Sequence, residues 1–503
     1  MSRLPKLTWT RSRDFRAAPF MADRVTVKGW TALAHALAAG RFTLLSLWAG
    51  DGAACMALHD AGARRVAVAR VDAAKGVFPS VGLHHAPAQR LERAVADLFG
   101  LTPEGAADAR PWLDHGRWGI THPLGSAAPG GAQAPYPFLP VEGDSLHRVP
   151  VGPVHAGIIE PGHFRFTAQG ETVVRLEERL GYTHKGVDRL MQGAKLARGA
   201  EIAGRASGDS AAAYAIAFAQ AAEAALSVAV PERAFYLRGL MAELERLANH
   251  IGDIGAICND AAFAMMLAQT SVLRERVLRT AQSAFGHRFL RDRIVPGGVA
   301  VDLDAAGETA LRALIAGIRD RFPLLVDLYD TTPSLLDRTV STGHVAPDLA
   351  RRFGAGGYVG RASGRDFDTR RDLRYAPYDM LRFDVPLRHD GDVHARIWLR
   401  IHEVEQCCSL MTQMLNALPP GPIRAEVPPP GEDRAGLGLV EGFRGDILVW
   451  LVVDATGHIR RCHMRDPSWF QWPLLEAAIE GNIIADFPLC NKSFNCSYSG
   501  HDL

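Results

Sequence analysis

Residues 231–250 read PERAFYLRGLMAELERLANH, and this stretch decides the architecture of the larger part of the chain. Pro231 stands where a helix begins, because a proline in the first helical turn has no N–H group that would need an intrahelical partner. Apolar side chains then recur at helical spacing, which predicts a long helix packed against a core. The same patterning dominates from about residue 185 to about residue 330. A mainly helical domain is therefore predicted here.

Three polar side chains of this stretch, Glu243, Arg246 and His250, are three and four residues apart and lie on one face of the predicted helix. A buried row of a carboxylate, a guanidinium and an imidazole could relay protons, so the row is a candidate catalytic group. The alternative is structural, namely an ion-pair row on a solvated face or a buried tie between helices. Spacing alone favours the structural interpretation, because such charge patterns have low specificity, and both interpretations stay open.

Composition places the chain among ordinary soluble globular proteins. It has 503 residues, of which 48% are apolar and 22% charged, and its length predicts two or three domains. A net charge of +1 gives no sequence-wide basic character, so nucleic acid is not an expected partner. The most apolar stretch, residues 211–230, is dominated by alanine and interrupted by Gln220 and Glu223. It predicts a buried helix and no membrane span.

Local composition divides the chain into three predicted parts. Residues 125–145 are rich in Gly, Ala and Pro and form a predicted linker. Residues 1–124 form a small α/β domain before it, with a helix that ends at Gly100. Residues 146–503 form a second, larger domain. The predicted strands lie at 42–50, 64–72, 163–176 (a hairpin that turns at Gln169–Gly170) and 434–464.

Cysteine usage argues against a disulfide framework or a metal site held by this chain. The seven cysteines are an odd, scattered number without a C-x-x-C pair, which fits a reducing cytoplasm. Cys490, Cys496 and His501 are close in sequence, but their spacing and number fit no common zinc site. No cofactor bound by this chain is expected.

Seven stretches, in chain order, resemble landmarks of two related families. ERAVADLFG (92–100) resembles the ERxxxDLFG signature of the C-type subunit of bacterial respiratory complex I. VGPVHAG (151–157) resembles the GPxHxxxG loop of the D-type subunit, and residues 231–250 resemble its PERxxxxRxxxxExxRxxNH helix. The other matches are GYTHKGVDRLMQG (181–193), GRASG (360–364), PYDMLRFDVP (377–386) and VEGFRGDI (440–447).

The chain thus resembles the fused large subunit of energy-converting nickel–iron hydrogenases of the formate hydrogenlyase type, and equally the C-type and D-type subunits of complex I joined in one polypeptide. The resemblance implies an α+β fold. An N-terminal α/β domain like the C-type subunit would be followed by a larger, mainly helical domain with β elements, like the D-type subunit and the hydrogenase large subunit.

The resemblance also locates the four positions at which the hydrogenases carry metal-binding thiolates. In this sequence they are Ser207, Ser210, Ser468 and Gln471. Nickel and iron in such a centre need soft thiolate ligands, and a neutral serine hydroxyl does not replace a thiolate. We therefore expect no nickel–iron centre and no other metal.

The complex I side of the resemblance implies a quinone site in altered form. His155 matches the histidine that, with a tyrosine, resembles a clamp on the quinone headgroup, and an imidazole can donate a hydrogen bond or a proton to a quinone carbonyl. The tyrosine position is Gly208 and the neighbouring aspartate position is Ser207. Tyr214, on the next helical turn, offers a phenol from a different angle.

A small polar cavity is expected where the metal centre or the tyrosine would lie. Such a cavity could hold water, part of a quinone or another small ligand. Asp188, where the family usually has glutamate, is expected to pass protons to or from it. The residues expected to line the cavity are Arg205, Ser207, Gly208, Ser210, Tyr214, Arg361 and Asp379.

The resemblance implies a peripheral-arm subunit of a membrane-bound respiratory oxidoreductase complex, coupled to proton translocation. Electrons would pass from NAD(P)H or ferredoxin to quinone through an iron–sulfur cluster in a partner like the hydrogenase small subunit. Antiporter-like membrane subunits would hold the chain at the cytoplasmic side of the inner membrane. Three hypotheses stay open: a site for quinone or a similar carrier, a non-catalytic scaffold or coupling subunit that lost its metal site, and a site for another small redox substrate.

Overall fold

The computed structural model describes residues 4–11, 18–131 and 134–503. Its helices are α1 (Val27–Ala38), α2 (Gln89–Phe99), α3 (Val187–Met191), α4 (Leu196–Ala203), α5 (Ala211–Leu226), α6 (Glu232–Asp260), α7 (Ala264–Phe285), α8 (Ala305–Asp330), α9 (Pro333–Thr339), α10 (Pro347–Arg352), α11 (Gly357–Ala362), α12 (Thr369–Asp372), α13 (Val393–Asn416), α14 (Ser468–Ala478), α15 (Phe487–Phe494) and α16 (Tyr498–Asp502). Its strands are β1 (Thr10–Arg11), β2 (Ala22–Arg24), β3 (Thr43–Gly50), β4 (Ala53–Asp60), β5 (Arg65–Asp72), β6 (Val77–Pro79), β7 (Thr102–Glu104), β8 (Ile120–Thr121), β9 (Ala128–Pro129), β10 (Leu146–Val151), β11 (His163–Gln169), β12 (Thr172–Arg179), β13 (Ile294–Val295), β14 (Gly298–Val299), β15 (Arg434–Gly442), β16 (Gly445–Val453) and β17 (Ile459–Arg465).

The N-terminal domain is built on a five-stranded sheet. Four of its strands follow the order β1-β5-β4-β3, and the fifth, β2, pairs with β5. β3, β4 and β5 pair antiparallel, and β2 is parallel to β5. Most residues of β3, β4 and β5 are buried, and α1 and α2 contribute to the same apolar core. The predicted strands 42–50 and 64–72 are β3 and β5. The predicted α/β domain is therefore confirmed.

Helix α2 carries the ERxxxDLFG signature, and its acidic side chains hold two loops against the helix. Glu92 accepts hydrogen bonds from Ser80 Oγ (2.7 Å) and from the backbone N–H group of Val81 (2.5 Å). Asp97 accepts hydrogen bonds from the backbone N–H groups of residues 112–114, at 2.7–3.1 Å. The signature thus supplies acceptors to loop backbone that would otherwise be buried without partners.

The second domain begins with the antiparallel sheet β10-β11-β12. β11 and β12 are the predicted hairpin, and Gly170 in its turn has a φ of +58°, a left-handed conformation that glycine adopts without steric cost. The predicted strands at 434–464 form a second antiparallel sheet, β15-β16-β17. The larger domain is therefore mainly helical with β elements, as predicted.

The long helices α5, α6, α7, α8 and α13 contribute to the core of this domain. α5 is the alanine-rich stretch, and residues 211–225 are all buried. It packs closely on β15, where a Cβ atom added to Gly436 or Gly438 would lie 1.9–2.0 Å from a carbonyl oxygen of α5. Small residues on both surfaces permit this approach. In the described part of the chain, no helix is long and apolar enough to cross a membrane.

The C-terminal strands pack against the N-terminal sheet. Ser46 Oγ on β3 lies 2.8 Å from His463 Nε2 on β17, and the Trp48 ring stacks on the same imidazole with ring centroids 4.9 Å apart. Arg465 donates a hydrogen bond to the backbone carbonyl of Leu45 at 2.6 Å. These contacts join the two domains directly. Residues 1–3 and 12–17 of the predicted first domain, and 132–133 of the predicted linker, lie outside the described residues.

Candidate functional site

The four positions that resemble the metal ligands come together in the second domain. Ser207 Oγ lies 2.7 Å from Ser497 Oγ, and the backbone N–H group of Ser497 donates a hydrogen bond to Ser468 Oγ at 2.9 Å. Asp466 accepts hydrogen bonds from the Ser468 N–H group (2.9 Å) and from the Tyr214 hydroxyl (2.7 Å). Ser497 therefore links the first pair of positions to the second. The hydroxyl cluster comprises Ser207, Ser210, Tyr214, Ser468 and Ser497, all buried.

An ion pair between the buried Arg444 and the partly exposed Asp209 adjoins the hydroxyl cluster. Arg444 Nη1 lies 2.6 Å from Asp209 Oδ1 and 3.4 Å from Ser210 Oγ. The Gln471 amide donates hydrogen bonds to the backbone carbonyls of Gly356 (3.2 Å) and Arg444 (2.8 Å). Burial opposes the charge on Asp209, yet the Arg444 guanidinium holds the pKa of this carboxyl below its ordinary value. The four positions are thus bonded to neighbouring groups, and Ser497 and Arg444 reach into the region where an open cavity was expected.

The chemistry of these groups does not fit a nickel–iron centre. The four side chains offer hydroxyl and amide groups where soft thiolates would be needed. The Cys496 thiol, 3.9 Å from Gln471 Oε1, is buried, and burial raises its pKa well above the usual value, which keeps it protonated. Among the described residues, no group of three or more His, Cys, Asp or Glu side chains is arranged to hold a metal ion.

His155 lies in the loop between β10 and β11 and is partly buried. Its Nε2 atom is 3.4 Å from the hydroxyl oxygen of Tyr498, the residue that follows Ser497 of the hydroxyl cluster. Burial lowers the pKa of His155, so its imidazole is neutral at pH 7. The structure therefore pairs the predicted histidine with a phenol, which is supplied by α16.

Tyr498 is the residue that sequence reasoning missed. It lies 343 positions from His155, and its sequence signal is a place within NCSYSG, next to Cys496 and His501, whose spacing fits no common zinc site. Tyr214, the phenol considered instead, donates its hydroxyl to Asp466 at 2.7 Å in the buried cluster. The structure does not bring Tyr214 into contact with His155.

Glu243, Arg246 and His250 all lie on the buried face of α6. Glu243 accepts a hydrogen bond from the Tyr378 hydroxyl at 2.6 Å. Arg246 donates a hydrogen bond to the backbone carbonyl of Glu441 on β15 at 2.7 Å. These contacts exclude a solvated face, because each group is buried and bonded to another element.

Glu403 on α13 is the centre of the network that this row joins. His250 Nε2 lies 2.8 Å from Glu403 Oε2, and Arg361 on α11 pairs with the other oxygen of the same carboxylate. Arg361 Nη1 is also 3.2 Å from Glu441 Oε1. Burial opposes the charge on Glu403, but Arg361 and the hydrogen bond from His250 hold its pKa well below the ordinary value. Arg361 was expected at a cavity rim and instead belongs to this buried tie between helices.

Asp188 on α3 is buried between the domains. One carboxylate oxygen lies 3.2 Å from Arg461 Nη2, and the other has no hydrogen-bond partner among the residues that the structure describes. Burial raises the pKa of Asp188. The carboxyl borders a cavity of about 40 Å³ that is also lined by His184 and Phe99. A carboxyl of raised pKa beside a cavity of this size suits proton exchange with trapped water.

Three of the predicted cavity residues lie at the surface. Arg205 forms a bidentate ion pair with Asp292, in which its Nη1 and Nη2 atoms lie 2.7 and 2.8 Å from the two carboxylate oxygens. Both side chains are roughly half exposed. Asp379 is exposed in the short turn before Met380. Gly208 is exposed and borders a separate cavity of about 50 Å³ against α6 and α7. Arg205, Gly208 and Asp379 are therefore not part of the hydroxyl cluster, although Arg205 and Gly208 are close to Ser207 in the chain.

Comparisons with known proteins give matches in both domains. The family model described as "Respiratory-chain NADH dehydrogenase, 30 Kd subunit" matches residues 24–134, and that described as "Respiratory-chain NADH dehydrogenase, 49 Kd subunit" matches residues 260–435 and 427–502. Formate hydrogenlyase subunit 5 of Escherichia coli (strain K12) is 32% identical over 446 residues, covering 86% of this chain and 78% of the relative. Carbon monoxide-induced hydrogenase of Rhodospirillum rubrum is 30% identical over 355 residues, covering 70% and 98%.

The D-type subunit of NADH-quinone oxidoreductase from Desulfotalea psychrophila is 30% identical over 348 residues, covering 68% of this chain and 93% of the relative. The match to formate hydrogenlyase subunit 5 extends across both domains, whereas the D-type relative matches about two thirds of the chain. With its 30 kDa and 49 kDa regions joined in one polypeptide, the chain belongs to the family of large subunits shared by respiratory NADH dehydrogenases and formate hydrogenlyase-type hydrogenases.

Proposed function

We propose that this chain is a peripheral-arm subunit of a membrane-bound respiratory oxidoreductase complex, and that it contacts a quinone or a similar small redox carrier at His155 without a nickel–iron centre. The observation that supports the proposal is a contrast between the positions that resemble metal ligands and the loop that holds His155. The metal-ligand positions are occupied by hydroxyl and amide groups with partners inside the chain. His155, in contrast, keeps a partly buried imidazole in a loop at the protein surface.

The proposed reaction needs a hydrogen-bond donor near a carbonyl group. A quinone accepts two electrons and two protons, and its two carbonyl oxygens become the hydroxyls of a quinol. The electrons would come from an iron–sulfur cluster in a partner like the hydrogenase small subunit. A neutral imidazole can donate a hydrogen bond to the carbonyl oxygen as negative charge develops there. Lowering of the His155 pKa by burial favours this neutral form.

The surface around His155 supports a partner that covers it. Val154 and Ile158 in the same loop are 78% and 96% exposed. Exposed apolar side chains that flank a polar group are typical of interfaces and of sites for apolar ligands. The complex would dock on antiporter-like membrane subunits at the cytoplasmic side of the inner membrane, with proton translocation as the coupled process.

A second candidate function is a non-catalytic scaffold or coupling subunit that lost its metal site. The observation that favours it is that the four positions resembling metal ligands are hydrogen-bonded to neighbouring groups of the chain, together with the buried network around Glu403. Both features stabilise a fold without requiring a substrate. A site for another small redox substrate is a third possibility, with His155 as its polar contact.

His155→Ala separates these functions. Native membranes that contain the complex are supplied with electrons from reduced methyl viologen, and reduction of ubiquinone-1 or menadione is measured per assembled complex. Loss of a preorganised donor in a dry site costs on the order of 10²–10³ in turnover. His147→Ala, an exposed histidine on β10, is the matched control and should leave turnover unchanged. Unchanged turnover in His155→Ala at normal abundance would refute the quinone proposal and leave the scaffold function.

A further inference from the structure

We propose that the cleft between the two domains binds an amphipathic organic cation, namely a primary ammonium group on an apolar body, with the ammonium at the carboxylates of Glu178 and Glu476. The cleft has a volume of about 770 Å³. Residues of both domains line it, among them Arg90, Trp112, Tyr136, Glu178, Phe353 and Glu476. None of the described lining residues belongs to the hydroxyl cluster or to the His155 loop, so this site is separate from the one in the proposed function.

The size and the apolar wall of the cleft suit a small molecule. Sites for small molecules typically have volumes of about 300–1,000 Å³ and combine apolar walls with a few polar groups. Leu349, Phe353 and Pro473 are partly buried and supply apolar parts of the wall. A ligand with an apolar body would cover these side chains, while its polar end would need a partner among the charged groups of the cleft.

A guanidinium shared by two carboxylates forms one part of the wall. Arg90 Nη1 on α2 lies 3.1 Å from Glu178 Oε2 on β12, and Arg90 Nη2 lies 2.7 Å from Glu476 Oε2 on α14. The other Glu476 oxygen accepts a hydrogen bond from the backbone N–H group of Glu178 at 2.8 Å. One positive charge thus faces two carboxylates, which leaves an excess of negative charge when both are ionised. A bound cation would balance this charge.

The second carboxylate oxygen of Glu178 is an acceptor without a donor. Glu178 is 1% exposed, and its Oε1 atom has no hydrogen-bond partner among the residues that the structure describes. Arg90 does not supply the missing donor, because it pairs with Glu476 and packs on Trp112 with its guanidinium carbon 4.5 Å from the ring centroid. An ammonium group supplies both the missing N–H donor and the missing positive charge.

Two further guanidinium groups of the cleft are already paired, which argues against an anion as the ligand. Arg93 Nη1 lies 3.0 Å from Asp108 Oδ2. Arg110 Nη2 lies 2.7 Å from the same oxygen, and Arg110 Nη1 lies 2.6 Å from Glu177 Oε1. An anion would have to compete with these carboxylates, whereas a cation meets the unpaired oxygen of Glu178.

The affinity for such a cation should rise with pH. Burial and the neighbouring Glu476 charge raise the pKa of Glu178, so a proton and the ammonium group compete for its carboxyl. Arg90 keeps its charge throughout, and the nearby Cys496 and Tyr498 stay protonated because burial raises their pKa values. An alkylammonium group keeps its charge below about pH 9. Binding should therefore release a proton from Glu178, and the affinity should increase between pH 6 and pH 8.

Calorimetric titration of the assembled complex with 2-phenylethylamine is the first test. We expect saturable binding of one molecule per chain. 2-Phenylethanol has the same size but offers a neutral hydroxyl, so it should bind at least about tenfold more weakly, as for the loss of a hydrogen bond between charged groups. The apparent enthalpy at pH 7 should differ between phosphate and imidazole buffers, because the buffer takes up the released proton. Equal affinities for the amine and the alcohol, or no saturable binding, would overturn the proposal.

Glu178→Gln tests whether this carboxylate holds the ammonium group. The amide keeps the shape of the side chain and an oxygen for Arg90, but it presents N–H groups in place of the unpaired acceptor. The affinity for the amine should fall at least about tenfold, and the buffer dependence should disappear. Glu171→Gln, in the exposed turn of the same hairpin, is the matched control and should bind the amine like the wild type. If Glu178 only ties the domains together, Glu178→Gln will lower stability and leave the affinity for the amine unchanged, which would refute the site.

Ala477→Trp covers the case in which Glu178→Gln does not assemble. Ala477 lines the cleft on α14 and is partly buried, so an indole at this position would obstruct the cleft and keep both carboxylates. Binding of 2-phenylethylamine should be lost, and unchanged binding would overturn the proposal. The isolated full-length chain is titrated in parallel. Binding to the isolated chain that is absent from the complex would show that a cationic side chain of a partner subunit occupies the carboxylates, and the proposal of a free small ligand would then fail.

Discussion

Ser207 and Ser468 differ from the thiolate ligands they resemble by one atom each, and that atom decides which chemistry is open to the site. A hydroxyl stays neutral at pH 7 and forms short hydrogen bonds, whereas a thiolate carries charge and binds soft metals. Here the Ser207 hydroxyl lies 2.7 Å from the Ser497 hydroxyl, and the Ser468 hydroxyl accepts a hydrogen bond of 2.9 Å from the backbone N–H group of Ser497. The substitution is therefore matched by partners in the C-terminal segment and does not leave empty ligand positions.

We predict that the purified complex contains no stoichiometric nickel bound to this chain. The physical reason is that none of the four ligand positions offers a thiolate, and the nearby Cys496 thiol is kept protonated by burial. Elemental analysis of the isolated complex, normalised to the amount of this chain, is the measurement. One nickel atom per chain would contradict the prediction.

At the scale of an element, α6 is joined to neighbouring elements by buried charged side chains. Its row of Glu243, Arg246 and His250 contacts Tyr378, β15 and Glu403 on α13. Such ties are satisfied only as a set, because removing one charge leaves its partners buried without compensation. These contacts explain the row as a structural tie between α6 and the elements around it. A role of the row in proton transfer is a separate proposal.

Glu403→Gln tests the structural side of this network. The change leaves Arg361 and Arg246 without their shared carboxylate, and breaking a buried pair costs about 3–5 kcal/mol of unfolding free energy. The abundance of the chain and its urea midpoint should fall. Glu405→Gln on the same helix, whose side chain is 64% exposed, is the control and should behave like the wild type. Equal stability of the two variants would contradict the prediction. A loss of turnover per assembled complex would instead support a proton relay.

Helix α2 gives a pH dependence with a defined sign. Burial raises the pKa of Glu92 from about 4.5 to about 7, so the folded state holds a proton that the unfolded state releases. The stability contributed by this group is full below the unfolded pKa and is lost as the pH rises through the folded value. Stability should fall by about 2–3 kcal/mol between pH 5 and pH 8 from this group alone.

Glu92→Gln should flatten this dependence, since an amide does not titrate. Thermal unfolding of the purified chain or complex between pH 5 and pH 8 is the measurement. Glu104→Gln, an exposed residue on β7, should keep the wild-type slope. A Glu92→Gln slope equal to that of the wild type would show that another group dominates.

At the scale of the whole molecule, the C-terminal residues connect places that are far apart in the chain. Asp502 accepts hydrogen bonds from the backbone N–H groups of Gly181 and Thr183, both at 2.9 Å. Ser497 reaches Ser207, and Tyr498 reaches His155. One short segment therefore contacts the helix α3 region, the hydroxyl cluster and the loop proposed to bind the ligand.

We predict that the complex depends on the apolar surface of this loop. Ile158→Asp places a charge on a side chain that is 96% exposed, so the isolated chain should fold normally. A charge buried under a partner is costly, and co-purification of the iron–sulfur and membrane subunits should therefore decrease severalfold. Val272→Asp on α7, where the side chain is 53% exposed, is the control. Recovery of the intact complex from Ile158→Asp would contradict the prediction.

The sequence by itself determined several of the elements, the order of the two domains and the family. Periodicity located β3, β5, α2 and the β11–β12 hairpin, because burial on one face imposes a local pattern of apolar residues. It also determined that the four positions that resemble the thiolate ligands carry no cysteine, since ligand chemistry follows from residue type alone. His155 could be named because it lies within a short motif.

Only the tertiary structure decided which side chains meet. Spacing placed Glu243, Arg246 and His250 on one face but could not say that Glu403, on a helix far along the chain, lies opposite. It could not place Arg205 and Asp379 at the surface, nor bring Tyr498 to His155 in place of Tyr214. The reason is that local patterns record whether a residue is buried, whereas its partner depends on how distant segments pack, and a single sequence carries no local signal of that packing.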